Sequence, residues 1–299
     1  MLKHFLSSVG MLAIAALSAI GQSPVPDRCP NNRPLLFAPM VRRPIDQSCG
    51  IAGKPTSPPN SRLQNAVKNN FCALPPNNAS APAPVTPEQL IQLQSRANLP
   101  SGRGKEPSSR NDARTFGEGN LVRMKAFLIE AHFADLGTGE SVNCNGPSED
   151  DNDVHIAFGS QPNTPECGSV TAEISPHFRP ESWKAIGHFE TFDNAAHQVV
   201  TNPVLATRLQ AAVYRVTGQL FFDASHEPCP CGTTHCSPLR SSVWEIHPII
   251  ALEVCKPGTG CDVNNDADWI RFDTWLESQP PPQPIKPPHA IEPDEQDDQ

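Results

Sequence analysis

The sequence predicts a mainly β protein: an OB-like, five-stranded Greek-key barrel with added helices and disordered termini. Two observations carry that expectation. Five strand-like segments follow residue 117, and their apolar and polar residues alternate as they do in half-buried strands. A stretch of about forty residues with helical patterning separates the third segment from the fourth, and three strands, a helix and two strands is the order of an OB-fold. Another small β-sandwich or barrel is the alternative.

The segments follow in order. Residues 1–21 read as a secretory signal peptide, with Lys3 and His4 before an apolar stretch and the small-x-small site Ala19-Ile20-Gly21 before Gln22. Residues 22–116 form a Pro-rich, cysteine-containing segment with two short helices. The first spans 61–72, opened by Ser61 and with apolar positions at 63, 66, 67 and 71. The second opens at Thr86-Pro87-Glu88-Gln89, with Thr capping, Pro in the first turn and Gln in the capping-box position, and ends near Asn98. A Pro/Asn/Ala linker over 74–85 separates them and carries the sequon Asn78-Ala79-Ser80.

The barrel is expected over 117–256. Its strands are 121–133, 153–158, 169–176, 214–223 and 242–255, with helical content at 180–189 and 203–212. Gly218, inside the fourth strand, fits a barrel bend where a side chain would obstruct packing. A C-terminal extension, 257–277, has room for a short helix. Residues 278–299 are a disordered, Pro-rich acidic tail.

Composition narrows the setting. The formal charge of −9 and pI near 5.5 argue against nucleic-acid binding, which calls for a basic field. With 34 prolines in 299 residues, much of the chain cannot pack. No segment of the mature chain is apolar enough for a transmembrane span. Ten cysteines, all after the expected cleavage site, favour disulfides and a periplasmic or extracellular location. Local pairs, Cys144 with Cys167 and Cys255 with Cys261, are expected, with bridges among Cys29, Cys49 and Cys72.

The run Gly218-Gln219-Leu220-Phe221-Phe222-Asp223-Ala224-Ser225-His226 followed by Ser242-Val243-Trp244-Glu245-Ile246-His247-Pro248 resembles a signature of a family of uncharacterised exported bacterial proteins. Asp153-Val154-His155-Ile156, Cys49-Gly50-Ile51 and Asn69-Asn70-Phe71-Cys72 are similar to further parts of that family. The resemblance implies export and no particular activity. In strand order alone the chain also resembles periplasmic OB-fold binding proteins and thermonucleases. It lacks the Asp-Gly-Asp-Thr stretch and the Arg pair of the latter.

Alternation places Asp153, His155, Glu173, Asp223, Glu245 and His247 on one side of the sheet and the apolar set on the other. His155, Glu173, Asp223, Glu245 and His247 are the catalytic candidates, since imidazole accepts protons near neutral pH and carboxylates orient it or bind a cation. The competing readings are a plain solvated face and a His–carboxylate pair that fastens the hairpin to the loop carrying His226. That loop, 226–236, offers His226, Cys229, Cys231, His235 and Cys236. Zinc or copper is the metal such donors prefer, although the spacing matches no standard zinc module and a disulfide is the better reading. Arg123 and Lys125, two apart on one strand face, suit either an anion or plain surface charge. The acidic runs 149–153 and 262–268 read as a solvated loop and a hydrogen-bonded turn. There is no Gly-x-Ser-x-Gly elbow and no Gly-rich phosphate loop.

Three classes follow: an exported cell-envelope binding or interaction protein of unknown ligand, a metal-dependent hydrolase using the His/Asp/Glu cluster, or a purely structural envelope protein. They differ in whether the polar side chains converge beside a cleft, lie sealed and hydrogen-bonded, or border an open concave face.

Overall fold

The alternation that marks the strands also decides which way each one faces. Val154, Ile156 and Phe158, Val170, Ala172 and Ile174, Val216, Leu220 and Phe222, and Trp244 and Ile246 are all buried in one apolar core. The computed structural model describes residues 45–50, 52–54, 59–69, 81–134, 136–177, 179–187, 203–230 and 239–279. The elements are α1 (Ile45–Ser48), α2 (Pro59–Lys68), β1 (Ala83–Val85), α3 (Pro87–Ala97), α4 (Asn111–Thr115), β2 (Leu121–Phe133), β3 (Val154–Gly159), β4 (Val170–Ile174), α5 (Lys184–Gly187), α6 (Pro203–Ala211), β5 (Val213–Phe222), β6 (Trp244–Cys255), β7 (Trp269–Arg271) and α7 (Phe272–Glu277).

Five of the strands close into a barrel. β2 pairs with β3, β3 with β4, and β4 runs parallel to β6; β6 pairs with β5, and β5 returns to β2. Length explains how β2 serves two neighbours: its first half faces β5 and its second half β3, with a register shift between Leu128 and Glu130. Gly218 lies at the irregularity between β5 and β6. A Cβ there would collide with the Pro248 carbonyl and the Ile246 side chain, so the bend requires glycine.

Two short strands lie at the periphery, β1 parallel to β2 and β7 antiparallel to β6. β1 falls in the stretch expected to be linker; its Pro84 is tolerated because it sits on an edge strand.

The capped helix forms as expected. Thr86 accepts from the Gln89 amide, Gln89 Oε1 accepts from the Thr86 amide at 2.9 Å, and Asn98 closes α3 in a left-handed conformation. α3 is fastened to the start of β6, where Gln94 Oε1 accepts from the Val243 amide at 3.0 Å and Ser242 Oγ donates to the Leu90 carbonyl at 3.0 Å. Phe222 and Trp244 meet across β5 and β6 with ring centroids 5.0 Å apart. Each such buried aromatic contributes on the order of 1.5–3 kcal/mol.

Disulfide pairs join Cys49 to Cys144, Cys167 to Cys229 and Cys255 to Cys261. The last is the expected local pair. The expected Cys144–Cys167 bridge is replaced because the barrel brings the 140–145 turn against α1, and the 166–168 turn against the segment after β5. Cys49 therefore pairs with Cys144, outside the group Cys29, Cys49 and Cys72. Cys29, Cys72, the signal peptide, the sequon and the tail beyond residue 279 lie outside the described residues, as do residues 188–189 of the helix expected over 180–189.

Candidate buried polar site

The helix α2 carries a stripe that reads inside out. Ser61, Gln64, Asn65, Lys68 and Asn69 recur at i, i+3, i+4, i+7 and i+8, and these hydrogen-bonding residues are the buried ones. Leu63 and Ala66, expected to define the inner face, are only half-buried, while Val67 is buried. The stripe seats on the polar face of the barrel, so the strand positions opposite the apolar core are neither solvated nor empty. This corrects the solvated-face reading: Asp153, His155, Glu173, Asp223, Glu245 and His247 are all buried.

Register assembles the set. His155 lies opposite Glu173 across β3 and β4, and Ala172 opposite Ile246 places Glu173 beside Glu245 and His247. Lys68 Nζ enters from α2 and stands 2.7 Å from Glu173 Oε2 and 4.0 Å from Asp153 Oδ2. His155 Nε2 is 3.2 Å from Glu173 Oε1 and 3.5 Å from Glu140 Oε1. His247 Nδ1 donates to the Lys68 carbonyl at 3.1 Å, which directs Nε2 to Asp153 Oδ2 at 3.3 Å and Glu173 Oε2 at 3.4 Å. Asn143 Nδ2 donates to the other oxygen of Asp153 at 3.1 Å.

A second limb runs through Asp223. Gln64 Nε2 donates to Asp223 Oδ1 at 2.9 Å, while Gln64 Oε1 accepts from the Ala224 amide at 3.1 Å and from Arg110 Nη1 at 3.2 Å. Arg110 in turn pairs with Glu118 and lies 5.2 Å from the Phe221 ring centroid. His226 Nδ1 stands 2.7 Å from Asp223 Oδ2, and Arg240 Nη1 2.7 Å from Glu245 Oε2.

Burial penalises every one of these charges, so each shift reports which neighbour prevails. Desolvation would raise Glu173, but His155, Lys68 and His247 hold it well below the usual carboxylate range. Asp153 is likewise lowered against its burial by His247 and Lys68, and Asp223 by His226, Lys68 and Arg240. Burial alone would discharge Lys68 and His155. Instead Glu173, with Glu245, Asp223 and Glu140, holds Lys68 well above its ordinary value, and Glu173 with Glu140 does the same for His155. Glu140 and Glu245 go the other way. Burial raises both, reinforced by Asp153 for Glu140 and by Glu173 and Asp223 for Glu245.

Among the described residues, part of the cluster borders an open cleft. A cleft of about 310 Å³ is lined by Gln64, Asn65 and Lys68 of α2, His132 and Ala134, Glu140, Ser141 and Val142, His155, and Ser225 and His226. Three imidazoles border it, each with one nitrogen near a carboxylate: His132 Nδ1 is 2.7 Å from Glu130 Oε1, and the other two pairs are those of His155 and His226. Such pairing orients the ring and, at His132 and His226, leaves the other nitrogen for a ligand; both nitrogens of His155 are buried.

The structure thus gathers all five catalytic candidates into one network but gives only His155 a place on the cleft wall; Glu173, Asp223, Glu245 and His247 lie behind it. Of the proposed metal ligands, His226 borders the cleft, whereas Cys229 is bonded to Cys167 and has no thiolate to offer a metal. Cys231, His235 and Cys236 lie outside the described residues. The acidic run 149–153 is corrected in part, since Asp153 belongs to the buried network. Lys68, Gln64, Arg110, Glu140 and His132 were not among the candidates. The polar stripe 61-64-65-68-69 was the signal that could have found the first two.

The chain matches no protein-family model, no curated protein and no solved structure.

Proposed function

We propose that the chain is an exported cell-envelope binding protein whose ligand occupies the imidazole-lined cleft, the buried network serving as the frame that holds α2 and the 140–142 turn in place. The observation that carries this reading is the seat of Lys68. The carboxylates that would have to receive a metal or a substrate already hold the protein's own ammonium, which makes them scaffold. His132 and His226 then present oriented ring nitrogens to a small polar ligand, while His155, with both ring nitrogens buried, forms part of the wall. The three disulfide pairs are compatible with an exported protein. No described helix is long and apolar enough to cross a membrane. The neighbour order of the closed barrel, with β4 and β6 parallel, supports an OB-like assignment. That fold hosts many binding functions and names no ligand.

A second reading, the metal-dependent hydrolase, draws on one observation. Ligand atoms of Glu140, Asp153, His155 and Glu173 lie within 4.8 Å of one another, and neither oxygen of Glu173 nor either ring nitrogen of His155 has an aligned hydrogen bond. Displacement of Lys68 would leave a site for one divalent cation.

One experiment separates the two. The mature protein is dialysed against zinc and analysed for bound metal, then screened against a library of small polar metabolites by thermal shift, beside His132→Ala and His226→Ala. The binding reading predicts no stoichiometric zinc and a ligand that raises Tm in the wild type and fails to do so in the variants. One zinc per chain, lost in His155→Ala, would overturn it in favour of the metal reading.

A further inference from the structure

A second cleft lies on another face of the barrel, and its lining sets three arginines among three carboxylates. It has a volume of about 240 Å³ and is lined by Arg123, Arg215 and Arg271, with Glu253, Asp266 and Asp273 between them and Ala251 and Leu252 among its apolar residues. Register builds it. Arg215 of β5 faces Glu253 of β6, Glu253 faces Arg271 of β7, and Arg123 of β2 faces Thr217 of β5.

The three guanidiniums are unequally satisfied. Arg215 makes a fork to both oxygens of Glu253, at 2.6 and 2.6 Å, and its ring-facing side lies 5.1 Å from the Trp269 centroid. Arg271 makes a fork to Asp273, at 3.0 and 2.7 Å. Arg123 has two long contacts, Thr217 Oγ1 at 3.4 Å and Asp266 Oδ1 at 3.4 Å, although its side chain is only 13% exposed. That same Asp266 oxygen accepts from Arg215 Nη1 at 2.7 Å, so one carboxylate serves two cations. Asp266 itself is 78% exposed, on the turn whose other polar groups are occupied among themselves: Asn265 Nδ2 donates to Asp268 Oδ1 and the Asp262 amide to Asp268 Oδ2.

We propose that this cleft binds a small molecule through an oxyanion of carboxylate or phosphate type, which takes the place of the Asp266 carboxylate between Arg123 and Arg215. Arginine forks match such groups, and a partly buried guanidinium held only by two long contacts is what an incoming anion would satisfy. Asp266 is the placeholder: exposed, monodentate and shared. Arg123 agrees in sign, its ordinary value lowered first by burial and then by the positive charge of Arg215. The site is separate from the imidazole-lined cleft and does not depend on how that cleft is used.

The test is calorimetric titration of the full-length mature protein with inorganic phosphate and, separately, citrate, at low ionic strength. The wild type should bind at least one of the two; the favoured probe says whether phosphate or carboxylate is the group recognised. Arg123→Gln should weaken that binding by about tenfold or more. Asp266→Asn, an exposed change that leaves the fold alone, should tighten it several-fold by removing the competing carboxylate. His226→Ala should leave it unchanged. No binding by the wild type, or binding that Asp266→Asn leaves unchanged or weakens, overturns the proposal even if Arg123→Gln fails to fold.

Discussion

Two faces of one barrel carry ion pairs, and they are built in opposite ways. Under α2, carboxylates outnumber the fixed cations and most of the groups are buried, with Glu140 and His226 bordering the cleft, so Lys68 and the histidines are shared among several acids. Along β5, β6 and β7, Arg215 forks to Glu253 and Arg271 to Asp273, and the acids reach solvent: Asp266, which Arg215 shares with Arg123, is exposed and Asp273 partly so. The difference teaches where charge matters to this fold. Removing one partner of a buried set strands the others without water, whereas an exposed pair is replaced by solvent at little cost.

The largest expected effect is therefore at Lys68. Lys68→Met leaves Glu173 and Asp153 with the histidines alone to offset their charge and should cost about 3–5 kcal/mol in urea unfolding. A loss below about 1 kcal/mol would mean the carboxylates find another cation. Next comes the bridge that holds the cleft-forming turn to α1. Replacing Cys49 and Cys144 together by Ser opens a loop with a sequence separation of 95 and should lower stability by roughly 2–4 kcal/mol, read by the same denaturation.

The third prediction concerns pH. Glu173, Asp153 and Asp223 are held below the usual carboxylate range, so their contribution is present above that range and is lost as pH falls through their folded values. His155 is held above the ordinary imidazole value, so its contribution is complete below about pH 6.5 and declines as pH rises towards its folded value. The stability advantage of wild type over His155→Gln should thus be largest near pH 6 and shrink towards pH 9. An advantage that stays constant over that interval would show that folding does not shift the ring's titration, and one that grows with pH would show that the ring is uncharged in the fold. The smallest effect belongs to the other face. Arg271→Ala breaks a partly exposed pair with Asp273 and should change stability by less than about 1 kcal/mol.

Much of the barrel was legible because strand alternation is a local signal. Val154-His155-Ile156 or Trp244-Glu245-Ile246 shows two faces without reference to any partner, and the helix at Thr86 announces itself through its cap. The same alternation put the candidates on one side of the sheet; that they meet in one network is decided by the register between strands. What covers the polar face did not, because the cover is a helix whose apolar residues are not its main buried ones. A sequence rule that places hydrophobic residues inwards assigns α2 to the wrong side, and only the polar stripe from Ser61 to Asn69 contradicts that rule. The local pair Cys255–Cys261 was legible from its spacing, but the long-range pairing was not: Cys49 meets Cys144 because of tertiary packing across 95 positions, which spacing cannot reveal.

The measurement closest to the centre of this account is a double-mutant cycle between Lys68→Met and Glu173→Gln, read by urea unfolding. If Lys68 is the cation the buried carboxylates depend on, the double variant should be more stable than the two separate losses predict, by at least about 1 kcal/mol. Additive losses would contradict the account and would mean that Lys68 and Glu173 support the fold independently.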